Sequence, residues 1–138
     1  MKIALLLVAL IVLGGMAYLR LAPSDPARWH VDPAGLTSGG ERRSVTLDAT
    51  PPQALARLDA IALATPRTTR LAGSPEEGRI TWITRSAVFG FPDYTTAAAR
   101  PDGTGTLLTL HARQRFGRND LGVNAARLDA WLGLLTAP

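Results

Sequence analysis

The stretch TLLTLHARQRFGRNDLGVNAARLDAWLGLL, Thr106–Leu135, decides the fold because it contains a strand, a corner and a helix in succession. Apolar and polar residues alternate over residues 106–115, which is the period of a strand with one buried face. The predicted buried face carries Leu108, Leu110 and Ala112, and the other face carries Thr109, His111, Arg113 and Arg115. Beyond the corner, Leu121, Leu128, Trp131, Leu132 and Leu135 recur at helical spacing. This pattern predicts a C-terminal helix packed against a sheet.

A second helix is predicted over residues 51–64. Thr50 and Gln53 have the spacing of a capping box, and Pro51 occupies the first helical position, where its missing N–H costs nothing. Apolar residues then recur at helical spacing until Pro66 ends the pattern.

Strand patterns occupy the rest of the chain beyond residue 40. They are predicted over residues 43–47, 67–72, 79–89, 93–99 and 106–115, with turn-forming residues at 73–78 and 100–105. The expected fold is therefore α+β, a two-layer sandwich of a five-stranded antiparallel sheet with two helices on one face, in the order β-α-β-β-β-β-α. This order resembles a shortened helix-grip fold, in which a curved sheet and a long C-terminal helix enclose an apolar ligand.

Residues 1–20 are predicted to be a transmembrane anchor or a signal peptide. Seventeen apolar residues, Ile3 to Leu19, separate Lys2 from Arg20, which is the lower limit for crossing a bilayer. Gly15 and Ala17 have the spacing that signal peptidase prefers, so cleavage remains the alternative. We expect a single-pass protein of the inner membrane with its domain in the periplasm, or a protein secreted to the periplasm if the segment is cleaved.

Residues 21–40 contain three prolines and three glycines and are predicted to be a linker or an ordered strap. Trp29 and Val31 are the residues in it that can attach to the domain. His30 and Asp32 lack further ligands at suitable spacing, so no metal site is predicted.

Composition limits the functions that the chain can have. It has no cysteine, which excludes disulfides and thiolate chemistry, and its net charge of +4 is spread along the chain without a basic aromatic cluster. We therefore expect no nucleic-acid partner. No phosphate loop, dinucleotide fingerprint or nucleophile elbow is present, and no cofactor is predicted.

The corner RQRFGRNDLGVNAAR, Arg113–Arg127, permits two interpretations. In the structural interpretation Asp120 is the helix N-cap, or Asn124 is, while arginines bond nearby carbonyls. In the functional interpretation the helix N-terminus and the arginines bind a phosphate or carboxylate. The candidate ligand-binding residues are Arg85, Asp93, His111, Arg113, Arg115, Asp120, Asn124 and Arg127.

These residues also carry a family resemblance. The segments Phe91-Pro-Asp93-Tyr94, Arg115-Phe-Gly117 and Asp120-Leu-Gly122-Val-Asn124 with Arg127 resemble domain-of-unknown-function family 1499, found in bacteria and plastids. The resemblance extends over roughly residues 43–135. Many relatives carry a Pro-Asn-Cys segment near the start, and this chain has residues 25–33 in its place. The resemblance implies a domain boundary and a motif but no biochemical activity.

Two hypotheses of different classes follow. The first is a membrane-anchored, non-enzymatic module that binds a lipid, an envelope component or a protein partner, through the corner and an arginine-bearing sheet face that also includes Arg79. An exposed aromatic loop at Phe89, Phe91 and Tyr94 would add to such a surface, whereas buried rings would be core. The second is a hydrolase or transferase that uses Asp93, His111 and Asp120, which requires those side chains to meet in one cleft.

Overall fold

The computed structural model describes residues 1–138 and contains the predicted α+β fold. The helices are α1 (Lys2–Leu21), α2 (Pro26–Trp29), α3 (Pro51–Ala64) and α4 (Val123–Thr136). The strands are β1 (Glu41–Leu47), β2 (Thr68–Ser74), β3 (Arg79–Arg85), β4 (Pro92–Asp102) and β5 (Gly105–Gln114). From residue 41 the order is the predicted β-α-β-β-β-β-α. Before it, α2 and a 3₁₀ turn at Pro33–Gly35 were not predicted as elements.

All five strands pair antiparallel in the order β1-β5-β4-β3-β2. Most strand boundaries differ from the prediction by one or two residues, and two places differ more. The β4–β5 hairpin closes with only two residues between the paired Asp102 and Gly105, so the strands extend into the predicted turn. The third strand ends at Arg85 instead of Phe89, because Ser86 and Phe91 close a loop by two hydrogen bonds of 3.0 Å.

The main core lies between one face of the sheet and the helices α3 and α4. Trp82 from β3 meets Trp131 from α4 edge to face, with ring centroids 5.6 Å apart. The carboxylate of the buried Asp59 accepts the indole N–H of Trp82 at 2.8 Å and pairs with Arg70. Buried side chains therefore fill the space where a helix-grip protein would enclose a ligand. Hydrophobic burial here supplies the main stabilisation of the fold.

The opposite face of the sheet is covered by residues 22–40, which we call the strap. Trp29 stacks on Tyr94 with ring centroids 3.8 Å apart and planes at 7°, and both rings are buried. The carbonyl oxygen of Trp29 accepts hydrogen bonds from Thr96 at 3.2 Å and from Arg113 at 3.1 Å. The second face of β5 was predicted to be exposed to solvent or functional. For the centre of that face the prediction was wrong, because the strap covers it.

The N-terminal helix α1 has the length and the apolar composition needed to cross a membrane, and none of its side chains is buried. At 1.5 Å per residue its 20 residues extend about 30 Å, which is the thickness of a bilayer's hydrocarbon core. A signal sequence has the same properties.

The first prediction concerns attachment of the strap. We expect Trp29→Ala to lower the free energy of unfolding by about 3–5 kcal/mol, because it removes a buried aromatic side chain and leaves a cavity on Tyr94. The matched variant Trp29→Phe retains a ring against Tyr94, so it should cost less. Thermal denaturation of the full chain in detergent, followed by near-UV circular dichroism, measures both. Equal melting temperatures for Trp29→Ala and the wild type would contradict this role.

Candidate functional site

The corner between β5 and α4 is built by two residues with left-handed backbones. Leu121 has φ 55° and Gly122 has φ 81°, so α4 begins at Val123 and Gly122 is its N-cap. The prediction that Asp120 or Asn124 is the N-cap residue was wrong in position. The Asp120 carboxylate still accepts the N–H groups of Gly122 at 3.1 Å and Asn124 at 2.8 Å. Burial acts to raise the pKa of Asp120, but these backbone hydrogen bonds outweigh it and lower the pKa.

Three of the predicted site residues form a network beneath the corner. The Arg127 guanidinium donates to the Asn124 side-chain oxygen at 2.6 Å and lies 3.4 Å from the Asp93 carboxylate. Burial raises the pKa of Asp93, and the neighbouring Arg127 charge opposes that shift. Asn124 is buried and the other two side chains are nearly so. Their partners are one another, so this network ties β4 to α4.

The arginines of the strap-facing side bond mainly to backbone. Arg115 donates to the carbonyl oxygen of Pro23 at 3.0 Å and to the Tyr94 hydroxyl at 3.4 Å. Arg85 donates to the carbonyl oxygens of Leu19 at 3.3 Å and Gly90 at 3.0 Å. We predicted a ligand-binding arginine face here, but these two side chains hold the strap and the end of α1 on the domain.

His111 lies beneath the strap and is only 3% exposed. Its Nδ1 has no hydrogen-bond partner, and a Cβ added at Gly40 would lie 3.0 Å from its Nε2. Burial, followed by the charges of Arg113 and Arg42, lowers the pKa of His111 to about 4. The imidazole is therefore neutral near pH 7 and packed against the strap.

The three proposed acid–base residues do not meet in one cleft. Asp93 lies on the helix-facing side of the sheet, where it pairs with Arg127 of α4. His111 lies on the strap-facing side, where Gly40 packs against it. Asp120 lies outside the sheet at the start of α4. Because the sheet separates Asp93 from His111, the arrangement required for the hydrolase or transferase hypothesis is not formed.

A cavity of about 630 Å³, which we call the corner cleft, opens between the strap, the end of β5 and the corner. Its lining is almost entirely polar, and Trp29 is its one hydrophobic residue. The lining residues are Arg28, Trp29, Ser38, Gly39, Gly40, Glu41, Arg113, Gln114, Gly117, Arg118, Asn119, Asp120 and Asn124. The cleft therefore includes three of the eight predicted ligand-binding residues, Arg113, Asp120 and Asn124.

Three arginines reach the corner cleft without an acidic partner. The guanidinium carbons of Arg28 and Arg113 each lie 5.0 Å from the centroid of the Trp29 ring. Burial lowers the pKa of Arg113, and the positive charge of Arg28 lowers it further. Neither of these side chains nor Arg118 takes part in any of the five ion pairs of the chain. The charges of Arg28 and Arg113 therefore repel each other, and none of the three arginines forms an ion pair that would offset its charge directly.

The two carboxylates in the lining are engaged elsewhere. Glu41 forms an ion pair with Arg43 at 3.4 Å, and Asp120 accepts the backbone N–H groups at the start of α4. A cleft in which the acids have other partners and the arginines have none has the chemistry of an anion-binding site.

Sequence reasoning did not include Arg28 and Arg118 among the candidate ligand-binding residues. Arg28 lies in the proline-rich segment before the sheet, 85 positions from Arg113 along the chain. The adjacent Trp29 was the available signal, because a large apolar residue in a polar, proline-rich segment indicates attachment to a domain. Only the stacking on Tyr94 brings Arg28 to the corner.

Comparisons with known proteins give a family and no activity. The model of a family described as a protein of unknown function (DUF1499) matches residues 19–135, which include the strap. No curated protein matches the chain. The crystal structure of TTHA0849 from Thermus thermophilus is similar at 14% sequence identity and a TM-score of 0.35, covering 68% of this chain and 92% of that one. A TM-score this low supports no argument about fold or function.

The second prediction concerns the buried His111. Because its pKa is lower in the folded chain than its ordinary 6.5, the folded state binds fewer protons between pH 6.5 and about 4. The contribution of the neutral imidazole to the free energy of unfolding is fully present above pH 6.5. As the pH falls from 6.5 towards 4, this contribution decreases by on the order of 3 kcal/mol. Thermal denaturation across this range should show a shallower loss for His111→Gln than for the wild type. Identical slopes would exclude titration of His111.

Proposed function

The chain belongs to the DUF1499 family of proteins of unknown function, and we propose that it is a membrane-anchored, non-enzymatic module that binds an anionic group in its corner cleft. The observation that carries this proposal is the set of three arginines, Arg28, Arg113 and Arg118, that share one cleft without forming an ion pair. The helix α1 is its anchor in this proposal, and the domain is in the periplasm.

The charge arrangement supports an anionic ligand. Bringing Arg28 and Arg113 to the same Trp29 ring costs electrostatic free energy, which burial of Arg113 increases. A bound phosphate or carboxylate would offset that cost, since each guanidinium offers N–H groups in a planar fork that matches such oxygens. Arg118, which is exposed and makes no hydrogen bond within the chain, adds a third charge at the same cleft.

The lining supports recognition of a charged or polar portion of the ligand. Backbone and polar side chains from the strap and the corner surround the cleft, and its one hydrophobic residue, Trp29, is almost wholly buried. The ligand that fits carries a phosphate or a carboxylate. It is a lipid, another molecule of the envelope or an acidic segment of a partner protein. The cleft volume of about 630 Å³ is within the range of small-molecule sites.

A binding function fits the titratable groups better than catalysis does. His111, the one histidine near the cleft, is buried under the strap and neutral near pH 7, so it has no access to a ligand in the corner cleft. Asp93 pairs with Arg127 on the other side of the sheet. The two carboxylates of the cleft, Glu41 and Asp120, are engaged by Arg43 and by backbone N–H groups at the start of α4, so neither is poised to remove a proton from a bound substrate.

The third prediction tests the corner cleft. We expect the double variant Arg28→Gln/Arg118→Gln to weaken binding of inorganic phosphate at least tenfold, because it removes two of the three unpaired charges. Its melting temperature without phosphate should not fall below that of the wild type, since both side chains are exposed and make no hydrogen bonds, and the repulsion between Arg28 and Arg113 is removed. The full chain in detergent is heated with increasing phosphate, and the shift of the melting temperature gives the affinity.

Arg100→Gln is the control, because it removes one arginine charge at the opposite end of the sheet, in the β4–β5 hairpin, where that side chain pairs with Asp32. It should leave phosphate binding unchanged. Native mass spectrometry of the full chain, purified gently from membranes, would identify the natural ligand as an adduct absent from the double variant. Equal phosphate binding by the wild type, the control and the double variant would reject the corner cleft as the site.

A further inference from the structure

The end of α1 is bound to the folded domain by side chains on both sides. Arg20, in the last turn of α1, donates to the carbonyl oxygen of Val88 at 2.9 Å. Arg85, at the end of β3, donates to the carbonyl oxygen of Leu19. Gly90 lies so close to Arg20 that an added Cβ would be 2.9 Å from its Cγ. The loop Ser86–Phe91 is therefore held beside the point where α1 ends.

A cationic groove opens at this junction. It has a volume of about 450 Å³ and contains three arginines and no acidic residue. Its lining residues are Arg20, Arg67, Thr69, Arg85, Ser86, Ala87 and Gly90. None of the three arginines takes part in an ion pair, and their hydrogen bonds go to backbone carbonyl oxygens. We call this the anchor groove, and its unneutralised charge favours an anion.

Exposed apolar side chains border the anchor groove. Val88 is 68% exposed and Phe89 is 49% exposed, and both belong to the loop that Arg20 contacts. Phe91 of the same loop is half-buried, with its ring 5.4 Å from that of Phe89. Two neighbouring exposed apolar residues next to a cationic groove form a surface with both of the chemistries of a membrane interface.

The length of α1 gives the depth of this surface. Its 20 residues match the thickness of the hydrocarbon core, so Leu19 and Arg20 lie at the boundary between acyl chains and headgroups when α1 spans a bilayer. Because Arg20 contacts Val88 directly, the loop lies at the same level. The groove is then in the headgroup layer, where arginines attract anionic lipids.

We propose that the anchor groove binds the phosphate of an anionic phospholipid headgroup, while Val88 and Phe89 insert into the adjoining acyl layer. The proposal rests on membrane anchoring by α1 but not on the corner cleft. In this proposal the domain is held against the bilayer surface and does not move freely at the end of α1.

The first test measures the depth of the loop. Since the chain contains no cysteine, an environment-sensitive NBD label is attached to the variant Phe89→Cys. The control is the variant Leu134→Cys, whose position is also exposed but lies near the C-terminal end of α4. The full-length protein is reconstituted in vesicles of phosphatidylcholine with phosphatidylglycerol. We expect a blue-shifted emission that lipid-borne quenchers reduce at position 89 and emission typical of water at position 134. Emission typical of water at both positions would overturn the insertion.

The second test measures headgroup binding. Full-length protein in nanodiscs of phosphatidylcholine with phosphatidylglycerol is released into native mass spectrometry, and bound lipids are counted. We expect phosphatidylglycerol adducts on the wild type and on Arg100→Gln, and roughly 30-fold weaker retention on Arg20→Gln/Arg67→Gln, which lacks two of the three groove charges. Near-UV circular dichroism verifies that the double variant is folded, since Arg67 also bonds the Arg85 carbonyl oxygen.

The outcomes distinguish a lipid phosphate from free phosphate as the bound anion. They also distinguish failure of the anchor groove proposal from failure of the proposed function. Retention of phosphatidylglycerol that is equal in the double variant and the wild type would overturn the groove as a lipid site. Displacement of the adduct by inorganic phosphate in the presence of excess lipid would assign the groove to free phosphate and would also overturn the lipid assignment. Extraction of the wild-type chain from membranes by alkaline carbonate would refute the anchoring itself, and with it the proposed function.

Discussion

The stacking of Trp29 on Tyr94 is the contact on which the rest of the structure depends. It brings residues 22–40 over the second face of the sheet, which would otherwise expose Thr81, Thr96 and Tyr94 to water. Burying two aromatic rings there gives a small domain a second apolar cluster beside the main core. Gly40 of the same strap packs against His111, and Trp29 forms part of the lining of the corner cleft. A segment with the composition of a linker thus becomes part of the domain.

Five of the arginines fall into two groups with different physical roles. Arg85 and Arg115 donate to backbone carbonyl oxygens of α1 and the strap, and in doing so join the N-terminal segment to the sheet. Arg28, Arg113 and Arg118 meet in the corner cleft, where Arg113 donates only to the Trp29 carbonyl oxygen. Side chains of the first group stabilise the fold, because a guanidinium satisfies carbonyl groups that strands and helices leave free, and Arg85 also lines the anchor groove. Those of the second group form no ion pair, and the proposed function assigns them to an anionic ligand.

Local signals predicted the elements of the fold well but the candidate site only in part. Residues 51–64 form the predicted helix, because the Thr50–Gln53 capping box starts it and Pro66 stops it, and both act on the adjacent backbone. The end of β3 was misjudged, since its apolar pattern continues to Phe89 while hydrogen bonds between Ser86 and Phe91 close a loop. Of the eight predicted site residues, three line the corner cleft. Of the others, Arg85, Asp93, Arg115 and Arg127 have partners from distant segments, and His111 is buried under the strap, which no local pattern reveals.

The sequence by itself determined the apolar helix, the alternating strands and the two amphipathic helices, because each depends on the order of residues within about twenty positions. It also determined the family, through motifs that belong to the chain whatever its folding. Only the tertiary structure decided which arginines are free. Arg28 and Arg113 are 85 residues apart in the chain, and they become neighbours because Trp29 of the strap packs on Tyr94 of β4. Whether a charge serves the fold or a ligand depends on the partner that packing brings to it, and packing joins residues without regard to their separation in sequence.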